Sequence, residues 1–316
     1  MGVSTDESAD EATSDGPRHL LDIDDLSPDE LTEILDRATA LKAAQASGTP
    51  HRYLAGQTLA MVFEKPSTRT RVSFETGMTQ LGGHAVFLGP DDIGLGGREP
   101  GKDISRTLSC YVDVVMARTF DHAEVVELAE YATVPIVNGL TDAAHPCQTL
   151  ADLLTIRERF GDDASVAWVG DGNNVAQSFV VGAALAGLDV SVATPAEYGI
   201  DDAVLDRAAD LGARPTVTDD PAAAVADADV CYTDVWVSMG QEDQREAKLE
   251  TFTEGGFQLD EDLLAGTDAA VMHCLPAHRG EEITDAVIES ERSLVWDQAE
   301  NRLHAQKALL TWLLDQ

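Results

Sequence analysis

At 316 residues, with 44% hydrophobic side chains, the chain is long enough for two domains with cores of their own and too apolar to be a disordered protein. It carries 57 acidic against 21 basic residues, a formal charge of −36, and only 5% aromatic residues. That surface repels nucleic acid and lacks stacking platforms for single strands.

Only five of the basic residues are lysine. Such acidity suits molar salt, where screening over ~3 Å quenches self-repulsion. The alternative is a merely acidic mesophilic protein; the halophilic reading is the one we expect. The cysteines, Cys110, Cys147, Cys231 and Cys274, are widely spaced and suggest neither a zinc cluster nor a disulfide framework. No signal peptide is evident, and no apolar run approaches the ~18 residues of a membrane span, so a cytoplasmic location is expected.

In chain order, residues 1–17 are acidic, small and apolar-poor, and read as a disordered tail. Ser27-Pro28-Asp29-Glu30 has the form of a capping box, with Leu31, Ile34, Leu35, Ala38 and Leu41 following at helical spacing. The apolar run Thr58–Phe63 predicts a buried strand that Pro66 stops. Ser67 stands where a helix N-cap belongs, and Thr68, Arg69, Thr70 and Arg71 follow. A helix N-terminus with hydroxyls and a forked cation is an anion site suited to phosphate. An ordinary capped helix with solvated arginines is the bland reading, but two arginines and three hydroxyls in five residues is unusual in so cation-poor a chain.

Further strands are expected at 84–89, 112–118, 134–138, 165–170, 189–194, 214–217, 229–233, 269–273 and 294–296. Residues 89–102, rich in glycine and charge, read as a mobile loop. Helices are expected at 103–111, 122–131, 146–160, 175–186 and 298–314, among others. This alternation implies an α/β fold of two doubly wound parallel-sheet domains joined by interdomain helices. We expect the tail at 1–17, a first domain at 18–145, a second at 146–300, and a last helix at 301–316 packing back on the first.

Function in open parallel sheets collects at the carboxyl ends of strands. Arg118, the segment from His145 to Gln148, Asn173 and Asn174, Asp234, and the segment from His273 to Pro276 all follow predicted strands. Singly, a histidine is more often structural and an asparagine is often turn chemistry. Five such polar sites on one edge of two domains are harder to dismiss. Gly170-Asp171-Gly172-Asn173-Asn174 lacks the third glycine of a dinucleotide fingerprint, because Val175 stands there, so no nicotinamide cofactor is expected.

Ser67-Thr68-Arg69-Thr70-Arg71 resembles the carbamoyl-phosphate motif of the carbamoyltransferases, and His145-Pro146-Cys147-Gln148 resembles the family's second motif. The run from Asp234 to Gly240 and His273-Cys274-Leu275-Pro276 are similar to the signatures of the ornithine-specific branch. The resemblance runs in order from about Leu20 to the C-terminus. It implies carbamoyl transfer from carbamoyl phosphate to L-ornithine, giving L-citrulline and phosphate, without metal or organic cofactor. The transition state would carry negative charge on the carbonyl oxygen and the departing phosphate.

By that resemblance, Ser67, Thr68, Arg69 and Thr70 would hold the phosphate, while Arg118, His145 and Thr70 would polarise the carbonyl oxygen. Gln148 and the Leu275 carbonyl would accept from the carbamoyl amide, and Arg302 would reach the carbamoyl group. Asn174, Asp234, Ser238 and Met239 would bind ornithine, with Asp234 and Cys274 orienting the attacking amine. Direct attack is implied, with no covalent intermediate on Cys274. The resemblance also implies trimers or multiples of trimers. One departure stands out: Gly94, in Asp92-Ile93-Gly94-Leu95-Gly96, occupies the place of a family glutamine that contacts carbamoyl phosphate. A non-catalytic or altered-substrate homologue that binds an amino acid or phosphate is the second reading; a dead homologue should have lost one of Arg69, Arg118, His145 or Cys274, and all four are present.

Overall fold

The structure is a computed structural model, and it describes residues 16–95 and 98–315. The expected tail therefore lies outside the described residues except for Gly16 and Pro17.

Two parallel sheets organise the chain. The first has the strand order β2-β1-β3-β4, from β1 (Thr58–Phe63), β2 (His84–Leu88), β3 (Val114–Arg118) and β4 (Ile136–Leu140). The second runs β7-β6-β5-β8-β9, from β5 (Ser165–Val169), β6 (Asp189–Ala193), β7 (Thr216–Thr218), β8 (Val230–Thr233) and β9 (Ala270–His273). The interior strands β3 and β8 and the covered edge strand β9 are buried throughout, which explains why they read as apolar runs rather than alternating ones. The edge strands β2 and β7 contain only half-buried and exposed residues.

The helices of the first half are α1 (Pro28–Ala46), α2 (Thr68–Gln80), α3 (Pro90–Ile93), α4 (Gly101–Ser109), α5 (His122–Tyr131) and α6 (Pro146–Phe160). Those of the second half are α7 (Asn174–Ala186), α8 (Asp202–Asp210), α9 (Pro221–Val225), α10 (Arg245–Glu254), α11 (Asp285–Ile288) and α12 (Val295–Leu314). The capping box at Ser27 forms: its hydroxyl accepts from the Glu30 amide, and the Glu30 carboxylate accepts from the Ser27 amide. The apolar stripe from Leu31 to Leu41 is buried below it.

One core runs through the middle of the molecule. It joins α1, α6, α7 and α12 to the inner faces of both sheets, with Trp168, Phe179 and Tyr232 in edge-to-face and offset contact at its second-sheet end. Separate apolar clusters cover the outer face of each sheet. Helices α6 and α12 lie along each other between the sheets, and α12 also packs on α1 and α2.

Two expectations are corrected. Residues 294–296 are not a strand. Val271 pairs with Ser293 in a single bridge, the Leu294 amide donates to the Val271 carbonyl, and the chain then turns into α12. An apolar triplet beside a sheet reads as a strand, but here Leu294 accepts from the Gln298 amide and the helix takes over. Within the glycine-rich stretch 89–102, Pro90–Ile93 forms a helical turn, capped by the Gly89 amide donating to the Asp92 carboxylate at 2.8 Å.

Candidate active site

Strand order reverses at two places, between β1 and β3 and between β5 and β8. In doubly wound sheets, ligand crevices open at the carboxyl ends of such strands. Here both switch points face one cleft of about 610 Å³. All fourteen residues singled out from the sequence line it: Ser67, Thr68, Arg69, Thr70, Arg118, His145, Gln148, Asn174, Asp234, Ser238, Met239, Cys274, Leu275 and Arg302.

The wall on the first sheet is cationic. Ser67 caps α2, its hydroxyl oxygen accepting from the Thr70 amide at 3.2 Å. Arg118 ends β3, in register with Phe63 at the end of β1. Arg302, 2% exposed, donates to Gln148 Oε1 at 2.5 Å and to Thr70 Oγ1 at 2.9 Å. Among the described residues, Arg69, Arg118 and Arg302 pair with no carboxylate, and the Nε atoms of Arg118 and Arg302 are buried without a partner. Burial, and then the charges of Arg302 and Arg69, pull the Arg118 guanidinium down to about 9. It stays protonated near neutral pH. Burying three mutually repelling cations is costly unless an anion joins them.

His145 stands at the start of α6, ahead of Pro146, with its backbone N–H donating to Ser178 Oγ on α7 at 2.7 Å. Burial, and then Arg302, Arg118 and Arg69, hold its imidazole well below the usual histidine value, so it is neutral. Its Nδ1 is buried without a partner. A neutral imidazole can donate one N–H to a developing negative charge without adding a fourth cation.

The opposite wall is acidic and carried largely by loops. Asp234 follows β8; it accepts from the Cys274 thiol at 2.9 Å and from Asn173 Nδ2 at 2.9 Å. Burial, and then Asp234, push the Cys274 thiol well above its ordinary range, so it is a thiol and not a thiolate. Leu275 is the one non-glycine among the described residues with positive φ (61°), and its amide donates to His273 Nδ1 at 2.8 Å. His273 Nε2 pairs with the buried Glu282 at 3.0 Å. His273 lies within 4.8 Å of Asp234 and Cys274 in a set of potential metal ligands, but both its ring nitrogens are thereby engaged. Asn174 spends its amide N–H on the Thr141 carbonyl at 2.6 Å, which ties the start of α7 to the turn before His145. Ser238 is half-buried and Met239 is exposed, on the loop between β8 and α10.

The two glycines after β5 serve backbone geometry. Gly170 has φ 140°, and a Cβ on Gly172 would lie 2.4 Å from the Gly199 carbonyl oxygen. A turn pressed against a neighbouring loop accounts for both.

Sequence reasoning missed several polar residues here. Lys248 on α10 reaches Asp171 Oδ2 at 2.7 Å and Gln241 Oε1 at 2.9 Å, tying the 238–244 loop to the end of β5. Both side chains of the Lys248–Asp171 pair are almost wholly buried, and burial pushes Asp171 up to about 6 against the pull of Lys248. Asp152 on α6 lies behind Gln148. A lysine or aspartate inside a helix gives no local signal of which partner folding will bring to it.

A family model described as the aspartate/ornithine carbamoyltransferase carbamoyl-P binding domain matches residues 18–158. Another, described as the Asp/Orn binding domain of the same family, matches residues 162–313. The ornithine carbamoyltransferase of Haloquadratum walsbyi is 66% identical over 300 residues, covering 94% of this chain and 98% of that protein. That of Methanoculleus marisnigri is 54% identical over 301 residues, covering 94% and 97%. The solved structure of the Pyrococcus furiosus ornithine carbamoyltransferase superposes with a TM-score of 0.91 at 51% identity, covering 96% of this chain and 99% of that one.

Proposed function

The chain belongs to the aspartate/ornithine carbamoyltransferase family and transfers the carbamoyl group of carbamoyl phosphate to L-ornithine, giving L-citrulline and phosphate; we propose that its cleft does so in the following way. The observation that carries the assignment of residues is the polarity of the cleft. Three arginines with no carboxylate partner among the described residues face Asp234 and Cys274 across it.

The phosphate dianion sits at the N-terminus of α2, held by Ser67, Thr68, Arg69 and Thr70 and by the backbone N–H groups of the first turn. Thr70, Arg118 and the neutral His145 surround the carbonyl oxygen, where negative charge grows during attack. Gln148 Oε1 and the Leu275 carbonyl accept from the carbamoyl NH₂ group. Arg302, already bridging Gln148 and Thr70, spans the two halves of that recognition. Carbamoyl phosphate binds first, because it neutralises cations that otherwise repel one another.

Ornithine enters from the acidic side. Asn174, Ser238 and the Met239 backbone take its α-amino and carboxylate groups. Asp234 attracts the side-chain amine, and Cys274 orients it. The amine gives up its proton, its lone pair attacks the carbonyl carbon, and the C–O bond to phosphate breaks. Cys274, as a protonated thiol bonded to Asp234, is unsuited to act as a nucleophile, which supports direct attack.

Loop 89–102 supports a shared site between copies of the chain. Gly94 adopts φ 56°, ψ 45°, a conformation that disfavours glutamine, so the backbone or the cations Arg98 and Lys102 supply that contact from a neighbouring subunit. Arg98 donates to the Asp92 carbonyl at 2.6 Å, next to Gly94. The exposed apolar residues Val72 and Val86, on α2 and the edge strand β2, fit a trimer face. The charge of −36 per chain fits a protein of molar salt, and no helix among the described residues is long and apolar enough to cross a membrane.

The test is citrulline formation in molar chloride with ornithine, aspartate and putrescine compared, with light scattering on the same samples as salt is diluted. Ornithine alone should react, and activity and particle size should decline together. Reaction with aspartate or putrescine at a comparable rate would overturn the substrate assignment. A fully active, undissociated enzyme in millimolar salt would overturn the halophilic one.

A further inference from the structure

Behind the anion wall lies a buried carboxylate that the reaction scheme leaves without a task. Asp152, one helical turn beyond Gln148 on α6, is 0% exposed and faces neither solvent nor a salt-bridge partner among the described residues. Its Oδ1 accepts from Gln148 Nε2 at 2.7 Å and from Gln298 Nε2 on α12 at 2.7 Å. Its Oδ2 accepts from the hydroxyl of Tyr232, on β8, at 2.9 Å. Burial raises it to about 6, against the opposing pull of those three hydrogen bonds and Arg302.

Gln148 uses its other end at the cleft, and Gln298 uses its other end on the segment that leads to it. Gln148 Oε1 accepts from Arg302. Gln298 Oε1 accepts from the backbone N–H of His273, at the root of the His273–Pro276 segment, at 2.9 Å. A primary amide is nearly symmetric in shape, and packing alone does not decide which end is N and which is O. An ionised carboxylate is an acceptor only. Asp152 therefore admits just the NH₂ end of each amide and turns both oxygens outward.

We propose that Asp152 is a positioning residue: by accepting from both amides, it fixes the Gln148 oxygen toward the carbamoyl NH₂ site and anchors the backbone that carries Cys274 and Leu275. The proposal rests on the reading of Gln148 as acceptor for the carbamoyl amide. It makes Asp152 a determinant of which acyl phosphate is bound. With the Gln148 oxygen fixed, an NH₂ group is favoured at that place, and the isosteric methyl group of acetyl phosphate leaves the lone pair not taken by Arg302 without a donor. Without Asp152, Arg302 alone holds the oxygen end of Gln148, the NH₂ end loses its acceptor, and that preference weakens.

The experiment compares KM for carbamoyl phosphate with the inhibition constant of acetyl phosphate in wild type, Asp152→Leu and Asp152→Asn, with thermal unfolding recorded for each. The wild type should favour carbamoyl phosphate by on the order of tenfold or more. Asp152→Leu should raise KM for carbamoyl phosphate by about tenfold and change acetyl phosphate inhibition much less, so the ratio collapses. Asp152→Asn can still offer one oxygen to both glutamines while its NH₂ donates to the Tyr232 oxygen, and should recover most of the ratio.

If Asp152→Leu does not fold, the double variant Asp152→Asn with Tyr232→Phe removes the group that orients the new amide. The ratio should then fall relative to Asp152→Asn. Equal weakening of both acyl phosphates would mean a purely structural role and would overturn the proposal, as would an unchanged ratio in a folded Asp152→Leu or double variant. A wild type that does not distinguish the two acyl phosphates would remove the reading of Gln148 itself, and this proposal with it.

Discussion

The two walls of the cleft are built on opposite principles. The first-sheet wall is rigid and buried: Thr70, Arg118, His145, Gln148 and Arg302 are each at most 6% exposed and are held at helix starts, a strand end or inside helices. Its cations are crowded and pair with no carboxylate among the described residues. The second-sheet wall pairs its groups internally, Asp234 with Cys274 and Asn173, and Lys248 with Asp171 and Gln241, and it ends in the exposed Met239. A wall that meets a small dianion can be fixed in advance and left electrostatically unsatisfied, because the ligand supplies the missing charge. A wall that meets a flexible amino acid carrying both charges is better built from groups already paired with one another, with its specificity on a loop.

Breaking the cationic wall should have the largest effect. Arg69→Ala removes a charge-assisted contact to phosphate and should cost on the order of 2–4 kcal/mol in kcat/KM for carbamoyl phosphate. Steady-state kinetics with saturating ornithine measures it, and a wild-type value would refute the anion assignment.

Across the cleft, Cys274→Ala should lower kcat by roughly tenfold to a hundredfold while leaving measurable turnover, because the thiol orients the amine and forms no bond to carbon. Complete loss of activity in this variant, together with a carbamoylated cysteine trapped on the wild type by mass spectrometry, would replace direct attack with covalent catalysis.

Ser238→Ala sharpens the contrast further. It should raise KM for ornithine by about 1 kcal/mol and leave KM for carbamoyl phosphate within twofold, on the order expected for one neutral hydrogen bond. Norvaline, which has the α-substituents but no side-chain amine, should compete with ornithine and not react. Indifference of the rate to high norvaline would remove the 238–244 loop from ornithine recognition.

The smallest effect concerns pH. Activity should rise with pH as bound ornithine loses its proton. His145 is held below its ordinary value, so it adds no limb to that profile between about pH 6.5 and 8. Above about pH 6.5 His145 is neutral in both folded and unfolded chains, whereas below it the unfolded chain takes up a proton that the buried ring refuses, so stability falls on acidification. Denaturant midpoints of wild type and His145→Gln should therefore converge, or the variant should gain, as pH drops from 7 to 5. A wild type that gains on the variant over that range would mean the ring is a cation in the fold.

Much of the architecture was written in the chain. Buried parallel strands need unbroken apolar runs, so β1 and β3 announced themselves, and Ser27 and Ser67 marked helix starts by their capping chemistry. The ordered motifs at 67–71, 145–148, 234–240 and 273–276 named all of the fourteen candidate site residues but Arg118, Asn174 and Arg302, because each motif is contiguous in sequence. Elements whose identity depends on a neighbour were not legible. The triplet 294–296 is apolar enough for a strand and becomes the start of α12 only because Leu294 touches β9 and then accepts from Gln298. Tyr232 and Gln298 lie 80 and 146 residues beyond Asp152 along the chain and meet it only in the core. The sequence by itself thus determined the sheets, the helix caps and the chemistry carried by each short motif, since those follow from local apolar pattern and capping. Tertiary structure decided the polarity of the cleft, the neutral state of His145 and the orientation of Gln148, since each depends on burial and on charges delivered from distant segments.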